Sequence, residues 1–317
     1  VKIHHDIPPN ASLDNTVITI GTFDGIHGGH RKIFDRLKAA ASVLNADSVV
    51  ITFEPHPRSI IYPRDESLRI LTTIEEKIHL LEGIGIDHLV IIPFSVEFSQ
   101  LHPQEYIENF LVNKFHPRAI VVGFDHQFGL NRGGDYALLQ QNASKFNYQL
   151  IKIEKQALDD IKISSTNIRK AISDGRLGEA AKLLKYNYYL TGEVIKGRNV
   201  GQQLGYPTAN IKLSSPYKLL PKPGIYAAFA YLDNQRFDGL LYIGAKPTLE
   251  NGKGMFIEIH LKGFEGYLYG EQLRIEIIRF VRNDAKFSNM ENLRQEIKKD
   301  DRRINQILSA YKKEHTV

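Results

Sequence analysis

TVITIGTFDGIHGGHRKIFDRLKAAASVLN (16–45) passes from a Val/Ile-rich strand through a glycine-rich turn into a helix, with Ile33, Leu37, Ala40 and Leu44 on one face. Working outward, four more short apolar runs repeat the strand: SVVITF (48–53), HLVIIPF (88–94), AIVVGF (119–124) and QLIKIE (149–154). Such runs read as buried parallel strands. Between them, IEEKIHLLEGIG (74–85) and PQEYIENFLVNKF (103–115) are amphipathic at helical spacing. This alternation predicts an open, doubly wound α/β sheet, closed off by helices over 166–173 and 177–185.

Near Tyr186 the pattern changes. YLTGEVI (189–195), GIYAAFAYL (224–232), FDGLLYIG (237–244), MFIEIHLKGF (255–264) and QLRIEIIRFV (272–281) are short runs punctuated by turn residues. They predict an antiparallel barrel or sandwich, followed by a terminal helix over 289–311. The boundary falls at 185/186, giving domains 1–185 and 186–317.

The bulk composition narrows the function class. The chain has 317 residues, enough for two cores, with 42% hydrophobic and 24% charged residues. It has no cysteine, which removes disulfides, thiolate metal sites and a cysteine nucleophile together. No run reaches the roughly 18 apolar residues of a membrane span. The first residues, VKIHHDIPPNASLDN, lack the apolar core of a signal peptide. A cytoplasmic protein without a membrane partner is expected. The net charge of +5 is not gathered on one helix or on an aromatic-rich sheet, so no nucleic-acid partner is expected. Attraction of anionic small molecules fits better. Weak self-association is left open.

The glycine turn is the strongest local signal. Glycines let a backbone approach a ligand, and the following helix N-terminus offers N–H groups to an anion. His27 and His30, three residues apart, can address the same phosphates and stabilise charge at phosphorus as pyrophosphate leaves. A Walker-type loop is excluded, because no GK[ST] follows the glycines. Three more segments follow later strands, where open α/β sheets hold their ligands. They are FEPHPR (53–58), GFDHQFGLNRGGD (123–135) and SSTNIR (164–169). Ser164, Ser165 and Thr166 suit a helix N-cap with Arg169 one turn in, a set that can hold a triphosphate. His56 sits between two prolines. Asp125 suits either a magnesium ion or a ribose hydroxyl.

The second half carries GEVIKGRNVGQQLGYPTAN (192–210). Gly197, Gly201 and Gly205 are spaced by four in a polar loop able to wrap phosphates. Pro207 fixes the backbone before Thr208, and Thr208 and Asn210 offer neutral oxygens to a magnesium ion. In MFIEIHL (255–261), Glu258 shares a strand face with Phe256 and His260 and is a candidate general base for a substrate hydroxyl.

GTFDGIHGGH (21–30) with SSTNIR resembles the HxGH-type nucleotidyltransferases, and TFEPHPR with GFDHQFGLNRGGD narrows this to the adenylyltransferase domain of bacterial FAD synthetase. The resemblance implies ATP binding by Gly21, Phe23, Asp24, His27, His30, Ser164, Ser165, Thr166 and Arg169. It implies flavin binding by His56, Pro57, Asp125, Phe128 and Arg132. His126 and Gln127 stand where that family has an aromatic and an arginine. YPTAN (206–210), YIGAKPT (242–248), IEIHLKGFEGYLYG (257–270) and KFSNMENLRQEIKKD (286–300) resemble bacterial riboflavin kinase, which implies a Greek-key barrel. There Gly197, Gly201, Gly205, Pro207, Thr208 and Asn210 serve ATP, with Thr208 and Asn210 on Mg2+ and Glu258 as base. Gly263 and Tyr267 replace expected acids, and Asp284 replaces a glutamate.

Together the chain is similar to the bifunctional prokaryotic riboflavin kinase/FAD synthetases, whose substrates and products are riboflavin, FMN, FAD and ATP. Two other classes compete: a nucleotidyltransferase for another phosphate ester with a passive β domain, and a non-catalytic flavin binder. The first predicts that Glu258→Gln leaves all activity intact. The second predicts bound flavin without ATP turnover.

Overall fold

The computed structural model describes residues 1–7, 12–154, 163–197, 201, 204–233, 235–246 and 254–315. They form two compact units, Val1–Ser165 and Thr166–Val317. This division precedes the 185/186 boundary expected from composition. The helices Ser165–Ser173 and Leu177–Leu184, expected to close the first domain, fall beyond it apart from Ser165. The physical reason is packing. Helix Leu177–Leu184 buries Leu177, Ala180, Leu183 and Leu184, and it contacts the strand Gln272–Arg282 of the second unit.

The first unit is built on six parallel strands: β1 (Lys2–His5), β2 (Thr16–Ile20), β3 (Asp47–Glu54), β4 (His88–Pro93), β5 (Pro117–Gly123) and β6 (Gln149–Ile153). Their order is β1-β4-β3-β2-β5-β6. From β2 the chain moves outward through β3 and β4, then returns to the other side of β2 as β5. The gap between the carboxyl ends of β2 and β5 is therefore the topological switch point where open sheets bind ligands. Ile18, fully buried, lies between Val49 and Ile120 in register. The edge strand β1 was not expected. Its sequence, KIHH, has no apolar run, because an edge strand has little to bury.

The first helix, Gly28–Leu44, covers the sheet with Ile33, Phe34, Leu37, Ala40 and Ala41, and ends on Asn45 in the left-handed region (φ 48°). Helix Ile74–Ile84 opens with a reciprocal capping box between Thr73 and Glu76 and ends on Gly85 at φ 77°. The expected helix over 103–115 is present. Its middle, Tyr106–Val112, has π-type hydrogen bonding and buries Tyr106, Ile107, Phe110 and Leu111.

The second unit is a closed six-stranded barrel, which settles the barrel-or-sandwich alternative. Its strands are β7 (Tyr189–Ile195), β8 (Ala209–Leu213), β9 (Gly224–Leu232), β10 (Gln235–Lys246), β11 (Gly254–Leu261) and β12 (Gln272–Arg282). The order β10-β11-β8-β7-β12-β9 closes on itself, and every ladder is antiparallel. β12 returns beside β9 after the β9-β10-β11 meander, which makes a Greek key. β8 was hidden in the glycine-rich stretch. It is short, and it pairs with β11 only at Asn210↔Glu258 and Ala209↔Ile259.

Alternation on β9 sends Ile225, Ala227 and Phe229 to one face, where they pack with Ile304 and Leu308 of the terminal helix Met290–His315. Buried Asp300 of that helix receives a fork from Arg282 at the end of β12: Nε to Oδ1 at 3.0 Å and Nη2 to Oδ2 at 2.7 Å. Glu296 lies 3.8 Å from the same guanidinium. Asp300→Ala should lower the barrel's unfolding free energy by about 3 kcal/mol, the low end for a broken buried pair because Glu296 remains. The joint change Arg282→Met with Asp300→Leu should cost under about 1 kcal/mol. Denaturant midpoints check both, and equal losses would show that the fork is not the anchor.

Candidate active sites

The glycine turn after β2 sits at the switch point. The Gly21 N–H donates to the Ile51 carbonyl at 3.1 Å. Beyond it the chain twists through Phe23 (φ 44°), Gly25 (φ 87°) and Ile26 (φ 39°). Left-handed backbone at a buried phenylalanine and a β-branched isoleucine is strained and must be held from outside. Asp24 supplies much of that hold. Its buried Oδ1 accepts from the N–H groups of Leu71 (2.8 Å) and Thr72 (3.0 Å). The Gly25 N–H donates to the Thr72 hydroxyl at 3.0 Å, and the Ser165 hydroxyl donates to the Asp24 carbonyl at 3.1 Å. Asp24 and Ser165, both expected among the ATP contacts, thus brace the turn. Phe23 packs inward against Phe34 and against the edge of His30, with ring centroids 5.0 and 5.3 Å away.

His27 caps the first helix. Its Nδ1 accepts from the His30 N–H at 3.4 Å, so in the neutral ring the proton sits on Nε2. The rings of His27 and His30 stack with centroids 3.6 Å apart. Gly29 leaves room beside them, since a Cβ there would press on the His27 ring at 3.2 Å. Burial, then the charges of His27 and Lys77, hold His30 well below the usual histidine range, so His30 is neutral at pH 7. Its buried Nδ1 has no hydrogen-bond partner among the described residues. A buried nitrogen left unsatisfied is what an anionic ligand would find useful.

The remaining expected contacts divide into several kinds. His56 caps helix Pro57–Ile61, its Nδ1 accepting from the Arg58 N–H at 3.2 Å, with Pro57 as first residue. Arg58 in turn ties down the 62–67 loop through Asp65 (2.6 Å) and Ser67 (3.1 Å). Beside His56, at the ends of β3 and β4, Phe53, Phe94 and Phe98 form a half-buried aromatic surface that sequence reading did not find. Asp125 and Arg132 are exposed beyond β5. Phe128 is not. It is buried and stacks on Tyr106 with centroids 4.9 Å apart, so it supports the loop as core, and Gly134 is needed because a Cβ there would strike its ring. Burial lowers His126 to about 4. It is therefore uncharged at pH 7 and fills the place of the family's aromatic as a neutral ring. Ser164 and Arg169 are half-buried and Thr166 is exposed; Thr166 and Arg169 lie past the division between units.

In the barrel, the short β8–β11 ladder assembles the second constellation. The Thr208 hydroxyl donates to Glu258 Oε2 at 3.2 Å, and Asn210 is opposite Glu258 in register. His260 donates from Nδ1 to the Pro207 carbonyl at 2.8 Å and meets the edge of Tyr206. The Tyr206 N–H donates to the Gly201 carbonyl at 2.9 Å. A Cβ on Gly201 would run into the Tyr206 carbonyl, and one on Gly197 would overlap the Asn210 amide. Gly205 adopts φ 81°. Gly197 is therefore required by the Asn210 amide, Gly201 by the Tyr206–Thr208 segment, and Gly205 by its left-handed backbone. Arg198–Val200, Gln202, Gln203 and 247–253 lie outside the described residues. Across β10, Tyr242 is in register with Glu258. Burial, a hydrogen bond with Asp284 and the charge of Glu258 push its phenol up, so it stays protonated. The shorter Asp284 still reaches the site's edge.

A cleft of about 230 Å³ opens beside Thr208, lined by Pro207, Phe264, Tyr267, Leu268 and Tyr269. Tyr267, in the place of an expected acid, is 73% exposed and stands edge-on to Tyr269 at 4.8 Å. Among the described residues no group of three or more His, Cys, Asp or Glu is placed to hold a metal ion. The donor set at Thr208, Asn210 and Glu258 is oxygen-based and suits an ion that keeps waters and phosphates as its main ligands.

Comparison with known proteins also divides the chain in two. The FAD synthetase family model matches residues 10–167, and the riboflavin kinase family model matches 184–308. A bifunctional riboflavin kinase/FMN adenylyltransferase from Listeria monocytogenes is 34% identical over 95% of both chains. The chain belongs to the bifunctional riboflavin kinase/FMN adenylyltransferase family. Relatives of the same description come from Buchnera aphidicola subsp. Schizaphis graminum (36% identical, covering 90% of this chain and 92% of the relative) and Escherichia coli K12 (30%, covering 92% of each). A solved structure from Streptococcus pneumoniae, described as a macrolide-efflux protein, shares the fold with TM-score 0.82 and 28% identity, covering 94% of this chain and 95% of that one. Among the described residues of this chain, no helix is long and apolar enough to cross a membrane.

Within the family's kinase module, the Gly197–Asn210 contact yields a direct expectation. Gly197→Ala should displace the Asn210 amide and reduce FMN formation from riboflavin by about 100-fold. FAD formation from supplied FMN should be unchanged. Chromatography of the flavins distinguishes the two, and equal loss of both would contradict the local account.

Proposed function

We propose that the two reactions of the family run at these two separate sites, each with its own ATP. The barrel acts first, in the kinase module 186–317. Glu258 accepts the proton of the ribityl 5′-hydroxyl as that oxygen bonds the γ-phosphorus. The bond from the γ-phosphorus to its bridging oxygen breaks, and ADP leaves with FMN as product. The observation carrying this reading is the Thr208–Glu258 contact at 3.2 Å, which puts a phosphate-side hydroxyl and a carboxylate on one ladder. Thr208 and Asn210 would hold Mg2+, which neutralises phosphate charge when bound. Gly197, Gly201, Gly205 and Pro207 shape the backbone around the polyphosphate.

In the adenylyltransferase module 1–185, an FMN phosphate oxygen bonds the α-phosphorus of a second ATP. The α–β bridging bond breaks, pyrophosphate leaves, and FAD forms. His27 and His30 donate to the phosphate oxygens; no protein nucleophile takes part. Gly21 and Phe23 line the turn, and Ser164, Thr166 and Arg169 keep the triphosphate role that the sequence resemblance implies. His56, Pro57, Asp125 and Arg132 serve the flavin, and Phe53, Phe94 and Phe98 offer its ring an apolar face. The setting is cytoplasmic.

Incubation with riboflavin and excess Mg-ATP should yield FMN first and FAD later. Glu258→Gln should abolish FMN formation while supplied FMN is still converted to FAD. His27→Ala should stop the sequence at FMN. Intact FMN formation by Glu258→Gln would remove the base assignment, and no FMN from the wild-type chain would remove the kinase reading.

A further inference from the structure

Lys77 is a buried cation without an ion pair among the described residues. It lies in the first turn of helix Ile74–Ile84, 5% exposed, where the helix dipole disfavours positive charge. Its ammonium donates to the Thr22 carbonyl at 2.8 Å and to the Thr52 hydroxyl at 2.9 Å. Thr52, fully buried, passes its own proton toward the same Thr22 carbonyl at 3.3 Å. No carboxylate comes within ion-pair distance of Lys77 among the described residues. Asp24 in the turn and Glu54 at the end of β3 act on it only through charge, and His30 on the first helix feels it as a neighbouring positive charge. Burying an ammonium in this way is costly unless its charge is used.

The carbonyl it holds explains the use. Thr22 lies between Gly21 and the strained Phe23, at the start of the turn whose far end is capped by His27. Asp24 pins the turn from the 71–72 side, and Lys77 pins it from beneath through Thr22. With that carbonyl drawn down toward the ammonium, it cannot turn outward toward incoming phosphate oxygens. We propose that Lys77 is a positioning residue for adenylyl transfer, clamping the Thr22 carbonyl so that the glycine turn presents N–H groups and positive potential to the polyphosphate of ATP. The inference rests on the adenylyltransferase reading of the first site. Lys77 acts through the turn; the groups addressing the phosphates remain the turn N–H groups, His27 and His30.

The clamp needs a charged ammonium, and burial lowers Lys77 from 10.5 to about 8. Because the folded value is depressed, the proton is present below about pH 8 and lost above it. The test is kcat/KM for FAD formation from supplied FMN and Mg-ATP, from about pH 6 to about pH 10, on the full chain, with FMN formation from riboflavin as an internal control. The wild-type profile should fall through about pH 8. Lys77→Met should lose about 100-fold near neutral pH and lack that alkaline fall, with FMN formation within about twofold of wild type. Lys77→Arg keeps its charge throughout this range, so its profile should lose the fall near pH 8 even if the bulkier group lowers the plateau.

An Arg variant that keeps the wild-type alkaline fall overturns the proposal. So does a Met variant with near wild-type rate, or one that loses thermal stability at unchanged kcat/KM. A wild-type chain that forms no FAD from FMN overturns the adenylyltransferase reading itself, and the inference with it.

Discussion

Two residue pairs, Ala209 with Ile259 and Asn210 with Glu258, close the barrel. The proposed kinase site depends on that closure. A two-pair ladder is a weak seam by itself, but its register sets the Thr208 hydroxyl against Glu258 and the Asn210 amide over Gly197. A one-residue slip would turn each of these side chains to the opposite face. The seam is reinforced by His260, which hydrogen-bonds the Pro207 carbonyl, and by the Greek-key return of β12 beside β9. The terminal helix, locked by Arg282 on Asp300, covers the β9 face that the meander leaves apolar.

The first unit solves a related problem with different parts. A loop that approaches a polyphosphate must be bare on its ligand side, so it is held by buried polar groups behind it. Asp24 and Thr72 hold one flank, and Lys77 with Thr52 holds another. The electrostatic balance follows from burial. His30 is neutral and its Nδ1 unsatisfied, His126 is neutral, and Lys77 is a cation with a lowered proton affinity. In the proposed adenylyltransferase site, the hydrogen-bonding capacity of His30 is thereby kept in reserve. Desolvation does this directly, by disfavouring charge on an imidazole until an anion arrives to stabilise it.

Much of this was legible from residue order. The strand–turn–helix at 16–45 and the Val/Ile runs predicted a parallel sheet, because buried parallel strands need apolar residues on both faces. The motifs named the two histidines that stack at the glycine turn, because spacing within a turn survives folding, and the Thr208 and Glu258 that the barrel brings together. What escaped was whatever depends on distant packing. β1 is short and mostly polar, so it has no periodic signal, and β8 alternates over only five residues directly behind the glycine-rich loop. Phe128 lies within a motif, yet its burial on Tyr106 depends on a helix earlier in the chain. Asp24 was expected as an ATP contact from the resemblance, and the hold its carboxylate has on backbone some 47 residues on could not be read from the motif. Lys77 gave no signal at all, since a lysine on an amphipathic helix ordinarily lies in water. Its burial appears only once β3 and the glycine turn are packed against that helix.

The most direct measurement is the fate of ATP labelled separately at its α- and γ-phosphates during turnover of riboflavin. Phosphoryl transfer followed by adenylyl transfer, each from its own ATP, predicts γ-label in FMN and, carried forward, in FAD, with α-label entering FAD alone. Label from the α-phosphate appearing in FMN, or FAD formed without α-label, would contradict γ-phosphoryl transfer followed by adenylyl transfer.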